Sequence, residues 1–191
     1  MEKQIDKIKG IIYGQAIGDA LGLGTEGMTD EDMAWKYPNG IRHYDPRCVG
    51  PCVIVSKLIH SLVYDNKGLT YHQMIDIAQR YDERIREFID LSMNTDIRAL
   101  ELQDDDSVGY TLRTLAAGLW AYWNASSFEE GLLAVVHAGG DADTNAAVAC
   151  AILGAKYGYS SIPQEYVEGL IYKGFMVWNK SLSVGQCRFG W

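Results

Sequence analysis

A short acidic turn in the C-terminal third of the chain carries the clearest chemistry in the sequence. Gly139 and Gly140 precede Asp141 and Asp143, and Thr144 follows at once, at the start of a helix rich in small residues. Clustered carboxylate and hydroxyl oxygens are the ligands that hard cations such as Mg²⁺ prefer. The glycine pair lets the backbone turn sharply and lets a ligand approach it closely. We therefore predict a cation site at this turn.

Helix capping is the alternative interpretation of the same turn. Aspartate and threonine are favoured N-cap residues, and glycine commonly follows the end of a helix. One aspartate is enough for capping, so the second carboxylate has no capping role. It adds a like-charge repulsion that a bound cation would relieve. The additional acid therefore favours the metal interpretation.

Length and composition indicate one globular domain over residues 1–191. The formal net charge of −8 argues against a nucleic-acid-binding surface, which would be basic. The longest apolar run, 146–155, is shorter than the roughly 20 residues of a membrane span. The charged N-terminus lacks the apolar block of a signal peptide. We expect a cytoplasmic protein with reduced thiols and without a membrane or nucleic-acid partner.

Apolar residues recur at helical spacing along most of the chain, and no segment alternates as a strand would. Residues 28–52 are expected to form a loop, because they contain several proline and glycine turn sequences. Thr70 and Ser127 are predicted N-caps, the latter in a capping box with Glu130. The predicted helices cover 5–12, 53–64, one long segment from 70 through 89, 108–123, 128–138, 145–157 and 164–178.

Glycines four apart at 14, 18 and 22 would leave a smooth groove along one helix face for a neighbouring helix or a ligand. A second small-residue face covers 139–158. The two faces predict closely packed core helices. The predicted fold class is all-α, a compact orthogonal helical bundle.

Three segments, in this order, resemble the ADP-ribosylglycohydrolase family. The first is GQAIGDALG at 14–22, followed by Glu26. The second is SVGYTL at 107–112, leading to AGLW at 117–120. The third, GGDADTNAAVA at 139–149 with GAKYG at 154–158, is the most specific. Together they cover about two thirds of the chain.

The resemblance implies an all-α enzyme that hydrolyses the glycosidic bond between ADP-ribose and an acceptor, with a binuclear Mg²⁺ centre. It implies that Asp141, Asp143 and Thr144 are metal ligands and that Glu26 is the catalytic carboxylate. The implied partners are ADP-ribose and an ADP-ribosylated protein or small acceptor. The substrate-binding positions that it implies are Gly139, Gly140, Tyr110 and Asp19, of which Asp19 also suits a role in bracing packed helices.

One metal motif of the family is missing. A Thr-Asp-Asp-Thr run is expected just after residues 42–46, but residues 47–52 contain no acidic pair. The ligand-bearing turn therefore looks deleted ahead of the helix predicted at 53–64. One Mg²⁺ is predicted, and the missing pair argues against a second. Asp45 or the run 104–106 could substitute, although consecutive acids at a helix entry more often serve as caps and solvated charges.

Three functions follow from this mixture of kept and missing motifs. The first is a Mg²⁺-dependent ADP-ribosyl glycohydrolase. The second is a degenerate family member that binds ADP-ribose or a related nucleotide without cleaving it. The third is a helical scaffold that keeps the fold alone, because fold does not fix function.

Overall fold

The computed structural model describes residues 28–41, 43–104 and 110–170, together with the single residues 10, 14, 17, 21 and 25. Within these ranges all regular structure is helical, which confirms the predicted all-α class. Two 3₁₀ turns, at Ile97–Leu100 and Tyr159–Ser161, connect longer elements. The α-helices of the described part are α1 (Asp30–Lys36), α2 (Pro46–Tyr64), α3 (Tyr71–Ala78), α4 (Ile85–Ser92), α5 (Thr111–Asn124), α6 (Phe128–His137), α7 (Ala142–Tyr157) and α8 (Gln164–Gly169).

The core consists of two adjoining apolar clusters that share helices α5 and α7. The first lies between α2, α3, α4 and one side of both α5 and α7. The second lies between α5, α6 and α7. Burial of these side chains is the main stabilising contribution to such a bundle. Fully buried members of the first cluster include Ile54, Leu58, Met74, Ile85 and Ile152, and those of the second include Ala117, Ala121, Val135, Ala149 and Leu153.

Helices α5 and α7 run in the same direction. At their middle, Gly118 of α5 faces Val148 and Ile152 of α7, because a Cβ at Gly118 would lie 3.1 Å from each of these side chains. At their C-terminal ends, Lys156 Nζ donates a hydrogen bond to the Tyr122 carbonyl oxygen at 2.8 Å. Because the middles of α5 and α7 contact each other and so do their C-terminal ends, the N-termini of the two helices lie at the same end of the bundle.

Helix α2 begins at this same end. The Cys48 side chain, in the first turn of α2, is hydrogen-bonded to the side chain of Thr111, the first residue of α5. The residues that precede the three helices, Asp45, Tyr110 and Asp141, therefore share one end of the fold. The tertiary structure thus places the acidic turn beside the starts of α2 and α5.

The loop predicted for residues 28–52 is wrong in two places. Helix α1 occupies 30–36 and begins with a capping box between Thr29 and Asp32. Helix α2 begins at Pro46 rather than at residue 53. Proline is tolerated in a first helical turn because it has no N–H to leave unpaired. Gly50, which looked like a turn residue, is a buried helical residue of α2. It packs so closely against Ile85 that a Cβ there would overlap Ile85 Cδ1.

The long helix predicted from residue 70 is two helices. Thr70 caps α3 as predicted, in a capping box with Gln73, but α3 ends at Ala78 and α4 begins at Ile85. Asp82 interrupts the segment by accepting a hydrogen bond from the Arg84 backbone N–H at 2.9 Å. Periodicity did not reveal the break, because both short helices bury apolar residues in the same cluster.

The predicted cap of α6 is confirmed, but its reciprocal bond is displaced by one residue. Ser127 Oγ accepts a hydrogen bond from the Glu130 N–H at 3.1 Å. The Glu130 carboxylate accepts the N–H of Ser126 at 2.8 Å instead of that of Ser127. Both bonds satisfy backbone donors that a helix start leaves free.

Three turns use the same local device, an aspartate followed two residues later by an arginine. The aspartate accepts the backbone N–H of the arginine and also pairs with its guanidinium group. Each pair stands at the beginning of a helical element or the turn before it, where a negative charge is favourable. The three pairs are Asp45 with Arg47, Asp82 with Arg84, and Asp96 with Arg98.

Helix α2 is, among the described residues, the one helix long and apolar enough by composition to cross a membrane, with a mean hydropathy of 1.2. Core helices of globular proteins pass the same test. The 28% of its apolar window that is buried includes Ile54 and Leu58, which are fully buried against other helices. The expectation that the protein has no membrane partner remains a prediction.

The Asp82 pair gives a pH-dependent contribution to stability. A hydrogen bond from Arg84 lowers the pKa of Asp82 to about 2, against about 3.9 in an unfolded chain. A lowered folded-state pKa adds stability that is present above the unfolded value and is lost as the pH falls toward the folded value.

We expect Asp82→Asn to lower the thermal midpoint at pH 7, and the difference from wild type to shrink as the pH falls from about 5 to about 3. Circular dichroism melts across this range measure it. Asp76→Asn, at an exposed position of α3, is the control and should give a small, pH-independent difference. An Asp82 effect of equal size at both ends of the range would contradict the pairing.

Candidate active site at the start of helix α7

The glycine pair forms a turn whose backbone conformation and close packing disfavour larger residues. Gly139 has φ +72° and Gly140 has φ +66°, a left-handed conformation that glycine adopts readily. A Cβ at Gly139 would lie 2.8 Å from Gln103 Nε2, and one at Gly140 would overlap the Leu102 carbonyl oxygen. The turn therefore packs backbone to backbone against residues 102–103.

The two carboxylates lie together at the start of α7. Asp141 is the N-cap residue, yet its side chain makes no capping hydrogen bond to the described start of the helix. Asp143 Oδ1 accepts the Thr144 N–H at 2.9 Å. A hydrogen bond with the Asp141 carboxyl group, followed by backbone N–H groups, lowers the pKa of Asp143. This geometry does not support the capping interpretation of Asp141.

Arg113, which the sequence analysis did not single out, holds the turn that supports the glycine pair. Its guanidinium group donates to the carbonyl oxygens of Leu100 and Glu101, the latter at 2.8 Å, and to Asp104 Oδ2 at 3.2 Å. The side chain is only 15% exposed. The feature of the sequence that could have indicated this role is that Arg113 is the single charged residue in the otherwise largely apolar segment 111–124.

The alternative acids predicted from sequence are paired with arginines. Asp45 accepts hydrogen bonds from Arg47, which lower its pKa. Asp104 accepts one from Arg113. Residues 105 and 106 lie outside the described part of the chain. Neither Asp45 nor Asp104 therefore offers a free carboxylate in place of the missing acidic pair.

Tyr110, predicted to bind substrate, is the N-cap residue of α5 and is half-buried. Its ring contacts that of Phe88 edge to face, with 5.6 Å between the ring centroids. This contact gives the tyrosine a packing role at the same end of the bundle as the acidic turn. Its role toward substrate remains a prediction.

The segment ahead of residue 53, where the family's acidic pair was expected, forms the first turns of α2. Residues 46–52 are helical and carry Arg47, Cys48 and Cys52 but no carboxylate. Burial raises the pKa of the Cys48 thiol, which disfavours the thiolate form that binds metals. This segment therefore offers no carboxylate ligand, and deletion of the family's ligand-bearing turn remains a prediction.

The oxygen ligands at the acidic turn fit one hard cation. Asp141, Asp143 and Thr144 offer three oxygens, and water can complete the six ligands of Mg²⁺. Within 28–41, 43–104 and 110–170, no group of three or more His, Cys, Asp or Glu side chains is arranged to hold a metal. Asp19 and Glu26, the remaining predicted site residues, lie outside the described residues.

Comparison with known proteins identifies the family. The protein-family sequence model described as ADP-ribosylglycohydrolase matches residues 1–42 and 39–183. The chain belongs to the ADP-ribosylglycohydrolase family. The resemblance seen in the three motifs is thereby confirmed over most of the chain, as is the all-α fold expected for the family. No solved structure matches the chain.

Curated relatives in this family carry hydrolase names. Proteins named ADP-ribosylarginine hydrolase Tri1, from Serratia proteamaculans and Pseudomonas putida, are 43% identical over 65 residues and 45% identical over 62. These matches cover 34% and 32% of the chain but 18% and 17% of the relatives. The ADP-ribosyl-[dinitrogen reductase] glycohydrolase of Rhodospirillum rubrum is 27% identical over 133 residues, covering 70% of the chain and 41% of the relative. The chain thus spans less than half the length of these relatives.

The glycine turn can be tested with two alanine substitutions of opposite expected sign. We expect Gly140→Ala to destabilise the protein by at least about 1–3 kcal/mol, because it combines a left-handed backbone with a steric overlap. Gly154→Ala, inside α7 where no described atom lies within 4 Å of the new Cβ, should stabilise it by about 0.5–1 kcal/mol. Urea unfolding measures both. Equal effects would contradict the packing of Gly140 on Leu102.

Arg113 can be tested by removing its charge while keeping its length. We expect Arg113→Met to destabilise the protein by about 1–3 kcal/mol, because it leaves two carbonyl oxygens and a carboxylate without their donor. Arg98→Met, at a side chain 87% exposed, is the matched control and should change stability by less than about 0.5 kcal/mol. The free energy of unfolding in urea is the readout, and similar losses in both variants would contradict the anchoring role.

Proposed function

We propose that this chain is a Mg²⁺-dependent ADP-ribosyl hydrolase that cleaves the glycosidic bond between ADP-ribose and an acceptor side chain. The observation that carries the proposal is the pair of carboxylates on the glycine turn, of which Asp141 makes no capping bond. The names of the two Tri1 relatives support arginine as the acceptor. The proposed partner is then a protein that carries ADP-ribose on arginine.

The predicted metal ligands, the predicted catalytic carboxylate and the glycine turn each have a chemical role in this proposal. Asp141, Asp143 and Thr144 would hold the cation, which when bound orients hydroxyl groups and acidifies water. Glu26 accepts a proton from the attacking water as a general base. Cleavage at the anomeric carbon develops positive charge on the sugar ring, which an acidic cleft stabilises electrostatically. The turn 139–140 lets the substrate approach the backbone closely.

A second candidate function is binding of ADP-ribose or a related nucleotide without cleavage. The observation that favours it is the start of α2, where residues 46–52 contain no carboxylate although the resemblance predicts an acidic pair there. Asp45, the nearest acid, is committed to Arg47. A site with one cation could then retain the ribose while lacking the charge needed for efficient hydrolysis.

The hydrolase proposal is tested with the full chain and an ADP-ribosylated arginine substrate, with and without Mg²⁺. We expect release of ADP-ribose that needs Mg²⁺ and falls by at least about 100-fold in Glu26→Gln, as for other general-base carboxylates. Asp141→Asn should also abolish it. Asp65→Asn, exposed at the far end of α2, is the control and should keep full activity.

The same samples distinguish the two candidates. Release no greater than that of the Glu26→Gln, Asp141→Asn double variant would overturn the hydrolase proposal. Calorimetry with ADP-ribose then tests the binder. Micromolar affinity without turnover would support the binder, and the absence of ADP-ribose binding would overturn it as well.

A further inference from the structure

The side chain of Asn145 has a buried oxygen without a partner. The residue is 3% exposed, and among the described residues nothing donates a hydrogen bond to its Oδ1. Native proteins pair nearly all buried polar atoms with protein, water or an ion. An orphaned amide oxygen at this depth therefore indicates a partner that the described residues do not supply.

Helix geometry places the Asn145 side chain on the face of α7 that begins at Asp141. The Asn145 N–H donates to the Asp141 carbonyl oxygen at 3.0 Å, so Asn145 lies one helical turn after Asp141 on the same face of α7. Side chains in an α-helix lean back toward its N-terminus. The Asn145 amide therefore leans toward the turn that carries Asp141 and Asp143.

The chemistry of the neighbouring groups defines the missing partner. Neither the Asp141 nor the Asp143 side chain donates a hydrogen bond to Oδ1, and once ionised, as metal-ligating carboxylates are, they can only accept. A hard cation, or a water molecule that it holds, can satisfy an amide oxygen and two carboxylates at once. Asparagine carbonyl oxygens are ordinary ligands of such cations. Two carboxylates balance a divalent charge, and a neutral fourth oxygen adds no repulsion.

We propose that Asn145 Oδ1 directly coordinates the cation at the acidic turn as an additional oxygen ligand. The inference rests on the cation of the proposed function but not on hydrolysis. It gives the single site a fourth protein oxygen, in a chain that lacks the acidic pair expected after residues 42–46.

The test measures metal binding rather than activity. Mn²⁺ is titrated into the full chain and its Kd is determined by electron paramagnetic resonance, with Mg²⁺ as competitor. We expect Asn145→Leu, which keeps the volume but removes the oxygen, to weaken Mn²⁺ binding about 10-fold to 100-fold. Its thermal midpoint without metal should be equal to or above that of wild type, because no buried polar atom is left unpaired.

A second substitution keeps the test decisive if Asn145→Leu fails to fold. Asn145→Asp places a charged ligand at the same position, so we expect tighter Mn²⁺ binding and a larger rise of its thermal midpoint on adding Mn²⁺ than in wild type. Asn124→Leu, in the last turn of α5 at the other end of the bundle, is the matched control. It should leave the Kd of Mn²⁺ unchanged.

The outcomes separate this inference from the proposed function. A Kd unchanged in Asn145→Leu, or not tightened in Asn145→Asp, would overturn the role of Asn145 and leave the cation site standing. Absence of Mn²⁺ binding to wild type would overturn both. The expected Kd changes together with no release of ADP-ribose would support Asn145 as a ligand while overturning the hydrolase.

Discussion

The close packing of α5 against α7 is the constraint on which the rest of the site depends. Gly118 allows it, because any side chain there would press on Val148 and Ile152. Lys156 fixes the same pair at the C-terminal end by donating to the Tyr122 carbonyl oxygen. Since the helices are parallel, the acidic turn that begins α7 must lie beside the segment that leads into α5.

That segment, residues 100–104, packs against the glycine turn at 139–140. Arg113 ties residues 100–104 to α5, and the Leu102 carbonyl oxygen occupies the space that a side chain at Gly140 would need. A charged hydrogen-bond network and a backbone contact thus hold the two carboxylates in place from outside their own helix. Preorganisation of this kind is what a ligand site requires, because the groups are positioned before the ligand arrives.

At this end of the bundle the starts of α7 and α2 differ in charge. The first turns of α2 lie at the same end of the bundle but present arginine and cysteine side chains instead of carboxylates. Asp141 and Asp143 are therefore the acids of the described site that no arginine engages. Their combined charge suits one divalent cation. The chain belongs to the family, and its sequence lacks the acidic pair that the resemblance predicts after residues 42–46.

Local chemistry made part of this predictable from sequence alone: the all-α class, the caps at Thr70 and Ser127, and the acidic turn with its glycine pair each depend on residues close together in the chain. Other features were decided by tertiary contacts. Gly50 is a buried residue of α2 rather than a turn residue and packs against Ile85, a contact that no helical period encodes. The role of Arg113 and the orphaned oxygen of Asn145 emerged only in three dimensions, because burial and hydrogen-bond satisfaction are properties of packed neighbours rather than of sequence spacing.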